Sequence, residues 1–334
     1  MYLVHIQAKI LSVLIVSPDI NIFEQLNHQT NIMTIPSYLK KGDLIGLTCP
    51  AGYMPREKAE TCINTLQQWG YEVLVGKMLG STSTNYFSGT DEDRTAELQA
   101  MLDNPDIKAI LFGRGGYGMS RIIDRLNFKK FKKDPKWIIG FSDITLLHTH
   151  LMSHYKIASL HAPMAAAFND GGAQNEFVGS LQIALNGSKA TYACASQPQN
   201  KHGTASGRLV GGNLALLVHG IGTASELHTK NCILFLEDIG EYLYSVDRML
   251  LQLKRAGKLD KVTGIIFGGF SDMKDTDRPF GKTIDEILQE IVADLDVPVC
   301  FNFPVSHDKE NYALKVGVKY NLIVGAAKVT LTEV

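Results

Sequence analysis

From Leu39 onward, short apolar runs alternate with segments of helical periodicity. Asp43–Thr48 reads as a buried strand, followed by the turn Cys49-Pro-Ala-Gly52. Arg56–Trp69 has apolar residues at helical spacing and stops at Gly70. Tyr71–Val75 predicts a second strand. Thr90 with Asp93 three residues later is a capping-box signal that opens a helix over Asp91–Leu102. Ala109–Phe112 predicts a third strand, running into Gly113-Arg-Gly-Gly-Tyr-Gly118, with a helix over Met119–Leu126. Trp137–Gly140 predicts a fourth, ending at Phe141-Ser142-Asp143 ahead of a helix over Ile144–His154. This rhythm predicts a parallel sheet with helices on both faces, its chemistry at the C-terminal strand ends.

The stretch from about Asn169 to Ser206 turns rich in Gly, Asn, Gln and Ser and reads as an inter-domain connection with some local structure. Beyond it the pattern gives helices over Asn213–His219, Ser245–Arg255 and Thr283–Leu295. Strands are predicted over Ile233–Leu236, Val262–Phe267 and Val297–Phe301, with short closing strands in Leu314–Leu322 and Lys328–Glu333. The expected organisation is an N-terminal extension (1–36), a nucleophile domain (37–168), a connection (169–206) and a mixed α/β domain (207–334). In the extension, Ile10–Val16 is apolar, only Lys9 precedes it as a basic side chain, and no A-x-A-like cleavage site follows. A signal peptide, an extra strand with its linker, and a biological start at Met33 compete as readings. On the last, a chain beginning at Met33 is expected to fold and stay active. No apolar run reaches the length of about 18 residues that a transmembrane helix needs.

The 334 residues suit two domains. An apolar fraction of 45% with 20% charged residues excludes a disordered, collagen-like or coiled-coil chain. A net charge of −1 offers no basic field for a nucleic acid. The 5 cysteines form no C-x-x-C pair; they fit a reducing compartment and read as small buried hydrophobes.

Gly113-x-Gly115-x-x-Gly118 fits G-x-G-x-x-G between a strand and a helix. A dinucleotide site, with Asp143 as its acidic partner, a tight turn, and an oxyanion cradle all remain open. Ser142 sits at a strand-to-helix turn with Gly140 two residues before it, where either a nucleophile or a helix N-cap belongs. His150 and His154 share a helical face near His148, but the apolar neighbours favour packed histidines over a metal site. Lys129-Lys-Phe-Lys-Lys133 reads as a solvated face. Glu237 and His307 each close a predicted strand. With Ser142 they supply the nucleophile, base and orienting acid of a triad, in an order that strand ends can bring to one crevice.

These segments resemble the LD-carboxypeptidases, serine peptidases that trim muropeptides. Gly113-Arg-Gly-Gly-Tyr-Gly-Met-Ser-Arg121 is similar to their R-G-G-Y-G-x-x-R segment, and Gly140-Phe-Ser-Asp-Ile-Thr145 to their nucleophile turn. Gly211-Gly-Asn-Leu-Ala215, Leu236-Glu-Asp-Ile-Gly-Glu241 and Asp247-Arg-Met-Leu250 resemble the G-G-N-L and L-E-D-x-x-E…R-M-L segments, and His307 falls at the family histidine. The resemblance runs from Leu39 to Val324. It implies a flavodoxin-like parallel-sheet N-terminal domain and a smaller mixed α/β C-terminal domain. It also implies Ser142 as nucleophile, His307 as base and Glu237 as its orienting acid, with the N–H groups of Gly116 and Asp143 as oxyanion hole.

The implied reaction releases terminal D-alanine from a murein tetrapeptide bearing diaminopimelate or lysine, through an acyl-enzyme on Ser142. No metal or organic cofactor is implied, nor any nucleic acid or membrane partner; a cytoplasmic homodimer acting on muropeptides is. Arg114 is a candidate for the substrate carboxylate. Ser306 and Lys315 depart from the family, which has Gly before the histidine and often L-P-x-G where this chain has Leu314-Lys-Val-Gly317. Two other functions remain: an immunity-type amidase acting on aminoacyl-nucleotides, which the relatives hold with a tryptophan, and a catalytically silent ligand-binding protein.

Overall fold

A computed structural model describes residues 33–334, so the expectations for residues 1–32 lie outside the described residues. The chain opens with β1 (Leu44–Thr48), α1 (Glu60–Gln68), β2 (Glu72–Val75), α2 (Asp91–Asp103) and β3 (Ile107–Phe112). It continues through α3 (Met119–Ile122), α4 (Lys129–Lys133), β4 (Trp137–Gly140), α5 (Thr145–His150) and β5 (Ser159–His161). The Thr90 capping box forms as expected, with Asp93 N–H donating to Thr90 Oγ1 at 3.1 Å.

The helix expected over Ile144–His154 is built in three pieces. A 3-10 turn at Ser142–Ile144 precedes α5, and a π turn at Leu151–Tyr155 ends at left-handed Lys156. The strands lie in the order β2-β1-β3-β4-β5, all parallel, which is the flavodoxin-like arrangement. Alternate residues feed opposite faces: Ala109 and Leu111 join one buried cluster, Ile110 and Phe112 the other.

The chain then forms α6 (Glu176–Leu185), β6 (Thr191–Ala195), β7 (Gly203–Asn213), α7 (Leu214–His219), β8 (Cys232–Ile239) and α8 (Leu243–Arg255). It closes with β9 (Gly264–Ser271), α9 (Ile284–Ile291), β10 (Val299–Cys300), β11 (Leu314–Val316), β12 (Lys319–Val324) and β13 (Lys328–Glu333). A second sheet has the order β10-β9-β8-β7-β12-β13-β6, parallel from β10 to β7 and antiparallel beyond.

Two departures from the sequence pattern stand out. The segment read as a connection contains α6, the edge strand β6 and the start of β7, which also absorbs Gly211 and Gly212. Glycine, serine and asparagine depress strand propensity, yet here backbone crowding demands glycine. A Cβ at Gly211 would lie 1.9 Å from the Phe235 carbonyl oxygen. Secondly, β11 leaves the second half of the chain and pairs antiparallel with β5, adding a sixth strand to the first sheet.

Lys315 on β11 is buried, and its Nζ meets Glu333 of β13 at 2.9 Å and 3.0 Å and lies 4.7 Å from the Tyr38 ring. The residue that departs from the family pattern is thus half of an internal ion pair. Among the described residues no helix is long and apolar enough to cross a membrane.

Candidate active site

Ser142 stands one residue beyond the end of β4 and has φ 62°, the left-handed region that side-chain-bearing residues rarely occupy. Such a turn lifts the hydroxyl off the sheet edge. The cap reading of this serine does not hold, because Phe141 occupies the cap position and Ser142 is the first residue of the 3-10 turn.

The glycine segment after β3 lies against the serine. A Cβ at Gly115 would lie 3.0 Å from Ser142 Cβ and 3.4 Å from the Asp143 nitrogen, so only glycine permits the approach. Gly116 has φ 96°. Among the described residues, neither the Gly116 nor the Asp143 N–H is spent on a loop or turn carbonyl.

Asp143 is buried and accepts the Met119 N–H at 2.8 Å, which ties the serine turn to the start of α3. Burial pushes its carboxyl up to about 6, against the bonds from Met119 and Gly118 and the charge of Arg94. This contact disposes of the dinucleotide reading. The N-terminus that would face a pyrophosphate is occupied by the carboxylate that would have bound a ribose.

Glu237 is 0% exposed and sits at a register irregularity of β8, between Leu236 and Asp238. Its Oε2 meets His307 Nδ1 at 2.5 Å. Burial pulls the imidazole down, but the hydrogen bond and charge of Glu237, helped by Asp238 and Asp308, outweigh it and leave His307 above its ordinary pKa. With Nδ1 engaged, Nε2 is the atom left for an incoming proton.

The His307 ring lies edge-on to Phe141 at 4.9 Å, which brings the imidazole beside the residue that precedes Ser142. No Ser142–His307 hydrogen bond forms among the described residues. Ser306 holds the His307 loop: its Oγ donates to the Glu310 carbonyl at 2.9 Å and accepts the Asp308 N–H at 3.0 Å.

The neighbouring motifs join the two sheets. Thr145 Oγ1 at the start of α5 accepts the Asn213 N–H at 3.1 Å, and Asn213 Nδ2 donates to Asp238 at 2.8 Å. Asp238 also accepts the Ala215 N–H at 3.0 Å. The residue next to Glu237 is therefore a brace between β8 and the start of α7. Its position inside Leu236-Glu-Asp-Ile was the signal for it.

A cavity of about 460 Å³ opens beside these groups, with Arg114, Phe141, Asp170, Phe177, His307 and Lys309 in its walls. Arg114 donates to the Tyr53 carbonyl at 3.1 Å and also faces this space. Asp170, Lys309 and Asn311 carry no local sequence signal and enter the site only through the fold.

His148, His150 and His154 are packed within the fold. His148 Nε2 bonds the Gly140 carbonyl at 2.8 Å, and burial pushes its pKa down to about 4. His150 Nδ1 meets Ser225 Oγ at 3.0 Å, and its ring stacks on His154 at 5.5 Å. Among the described residues no group of three or more His, Cys, Asp or Glu side chains is arranged to hold a metal ion.

The LD-carboxypeptidase N-terminal domain model matches residues 45–162, and the LD-carboxypeptidase C-terminal domain model residues 206–322. The chain is 33% identical over 289 residues to a probable murein peptide carboxypeptidase of Bacillus subtilis, covering 85% of this chain and 90% of that one. The crystal structure of muramoyltetrapeptide carboxypeptidase from Oxalobacter formigenes superposes with a TM-score of 0.78 at 31% identity, covering 87% and 98%. The microcin C7 self-immunity protein MccF of Escherichia coli is 26% identical over 332 residues, covering 88% and 94%. A structure of MccF with aspartyl sulfamoyl adenosine shares the fold, with a TM-score of 0.79 at 23% identity over 90% of this chain and 99% of that one. With both halves matched and the two-sheet fold in common, this chain belongs to the LD-carboxypeptidase family of serine peptidases.

Proposed function

We propose that the chain is an LD-carboxypeptidase that releases terminal D-alanine from murein tetrapeptides. The observation that carries this reading is the pairing of buried Glu237 with His307 beside a serine held at φ 62°. In the proposed mechanism His307 Nε2 takes the Ser142 proton as Oγ attacks the carbonyl of the third residue. The Gly116 and Asp143 N–H groups receive the developing oxyanion. The tetrahedral intermediate collapses, the D-alanine amine leaves with the proton from His307, and an ester remains on Ser142. Water, deprotonated by the same imidazole, then hydrolyses the ester. Arg114, beside the glycine turn and in the cavity wall, is the cation offered to the terminal carboxylate.

The relatives include an immunity protein, and one feature keeps that second reading in play. The Phe177 ring lines the cavity, packed on Tyr312 at 4.8 Å. It is a weaker platform for a nucleobase than an indole, and both tryptophans are engaged elsewhere. Trp69 packs on Phe168 at 6.1 Å and Trp137 stacks on Tyr38 at 5.8 Å. Base stacking contributes roughly 1–3 kcal/mol, so its weakness favours the peptide.

The test is competition between a D-alanine-terminated tetrapeptide and an aminoacyl sulfamoyl adenosine, followed by mass spectrometry. Tripeptide and D-alanine are expected from the wild type, and Ser142→Ala is expected to lose about 10⁴–10⁶ in kcat while staying folded. A higher kcat/KM for the nucleotide would replace the carboxypeptidase reading with the amidase one. Absence of turnover on both substrates would favour a silent binding protein.

A further inference from the structure

Arg94 stands at the end of the first turn of α2, where the helix dipole favours acids and disfavours a cation. Its side chain is nonetheless 0% exposed. Arginine is almost never fully buried unless its charge is paired, and here Asp91 of the same turn pairs it. The remaining donors reach backbone. Nη1 donates to the Pro50 carbonyl at 2.6 Å and to the Gly118 carbonyl at 3.2 Å. Nε donates to the Gly89 carbonyl at 3.3 Å, and the guanidinium carbon lies 4.7 Å from the centre of the Phe87 ring. One planar, permanently charged fork therefore joins three separate loops.

Two of these loops are the glycine segment and its support. Gly52, two residues after Pro50, donates its N–H to the Gly115 carbonyl at 3.0 Å. Arg94 holds the Gly118 carbonyl at the other end. Gly116 and Tyr117 lie between the two anchors. Glycine backbone is free to turn unless it is tied, so the anchors set the direction of the Gly116 N–H. A Cβ at Gly118 would lie 2.7 Å from Arg94 Nη1 and 2.9 Å from the Ala51 Cα, so the guanidinium packs directly on the segment. The next residue, Met119, gives its N–H to Asp143 at 2.8 Å, and the Asp143 N–H is the second donor proposed for the oxyanion.

We propose that Arg94 is the positioning residue of the oxyanion hole. In the carboxypeptidase reading, on which this inference rests, the carbonyl oxygen of the third residue becomes an anion when Ser142 attacks. The two N–H groups stabilise it only while they stay aimed at the place where that charge develops. With its side chain fully buried, Arg94 acts through the backbone that carries them. Its contribution therefore belongs to the transition state and not to binding of the peptide. Lysine does not replace it, because a single ammonium lacks the fork that spans Asp91 and the carbonyls of Pro50, Gly89 and Gly118.

The test compares kcat and KM for D-alanine release by the wild type, Arg94→Lys and Asp91→Asn. Two binding measurements go with it. One uses a tripeptide ending in an aldehyde, which Ser142 converts to a tetrahedral adduct; the other is the Kd of the intact tetrapeptide on a Ser142→Ala background. Arg94→Lys is expected to lower kcat about 10²-fold, the cost of one oxyanion donor, with KM unchanged. The aldehyde is expected to weaken by the same factor and the tetrapeptide Kd to stay as it was. A residue that only stabilised the fold would lower the melting temperature without separating aldehyde from peptide. If Arg94→Lys keeps the wild-type kcat, or weakens aldehyde and peptide equally, the inference falls and the carboxypeptidase reading stands. If Arg94→Lys gives no folded protein, Asp91→Asn decides, since it leaves the guanidinium in place without its counter-charge. Its kcat is expected to fall about tenfold, the effect of a small misplacement, with the aldehyde weakened in step. An unchanged kcat and aldehyde affinity in that variant overturns the inference. If the wild type releases no D-alanine, the reading and the inference fall together.

Discussion

A non-glycine residue in the left-handed region carries roughly 1–3 kcal/mol of strain and persists only where its surroundings over-determine it. At Ser142 they do: Gly115 packs on its Cβ, and Asp143 is tied to the Met119 N–H at 2.8 Å. The backbone sets the direction of the hydroxyl, and in the proposed mechanism its reactivity depends on the imidazole. His307 is held above its ordinary pKa by Glu237, and only the neutral ring accepts the serine proton. The kcat/KM is therefore expected to fall with decreasing pH through a midpoint above about 6.5, the value of a free histidine. Glu237→Gln removes the charge behind the upward shift, so its acid limb is expected at lower pH, with kcat reduced about 10³–10⁴-fold. A pH-rate profile of D-alanine release reads both; an acid limb that did not move would separate the carboxylate from the titration. The stability linkage has the opposite sense. A raised folded-state pKa stabilises the fold at pH below the unfolded value, and this contribution is lost as the pH rises through the folded value.

Between elements, the point of greatest crowding is the end of β7. A Cβ at Gly212 would lie 2.6 Å from Thr145 Oγ1, the atom that accepts the Asn213 N–H and keeps α5, and with it the serine turn, in place. Gly212→Ala is expected to shift that turn, lowering kcat by about 10²-fold, the effect of a misplacement near 1 Å, while the melting temperature falls only slightly. Gly211→Ala forces a Cβ to 1.9 Å from a β8 carbonyl and is expected to abolish soluble folded protein. Equal losses of stability in the two variants would remove the distinction.

The same elements mark the limits of what the sequence discloses. β1 to β4 are apolar runs closed by turns, and they were legible with α1 to α3, whereas α4 was read only as a solvated face. β6 and β7 are written in Gly, Ser, Thr and Ala and were not, because their conformation follows from neighbouring strands. Ser142, Glu237 and His307 were legible as residue types, but not all at strand ends: Glu237 lies within β8 and His307 in the loop beyond β10. The Asn213–Asp238 brace and the cavity residues Asp170, Lys309 and Asn311 depend on contacts between distant segments, which no local pattern encodes. Where β11 goes is equally non-local.

At the scale of the whole molecule, the Lys315–Glu333 pair joins the last strand of the first sheet to the last strand of the second. The two side chains are 1% and 4% exposed, so either charge alone would be stranded in a medium that cannot solvate it. Lys315→Ala is expected to cost about 3–5 kcal/mol in urea unfolding, and the double change Lys315→Met with Glu333→Leu to recover most of it. A Lys315→Ala protein as stable as the wild type would show the pair to be idle. β11 has a consequence for how the enzyme comes into being. The first sheet receives its sixth strand only after residue 314 has been made, and His307 emerges from the ribosome only shortly before. Through most of its synthesis the nascent chain therefore carries Ser142 without the imidazole proposed to take its proton, and a fragment ending before His307 has neither that imidazole nor a finished sheet. The proposed proton acceptor and the last strand of the first sheet thus join the chain together, late in translation.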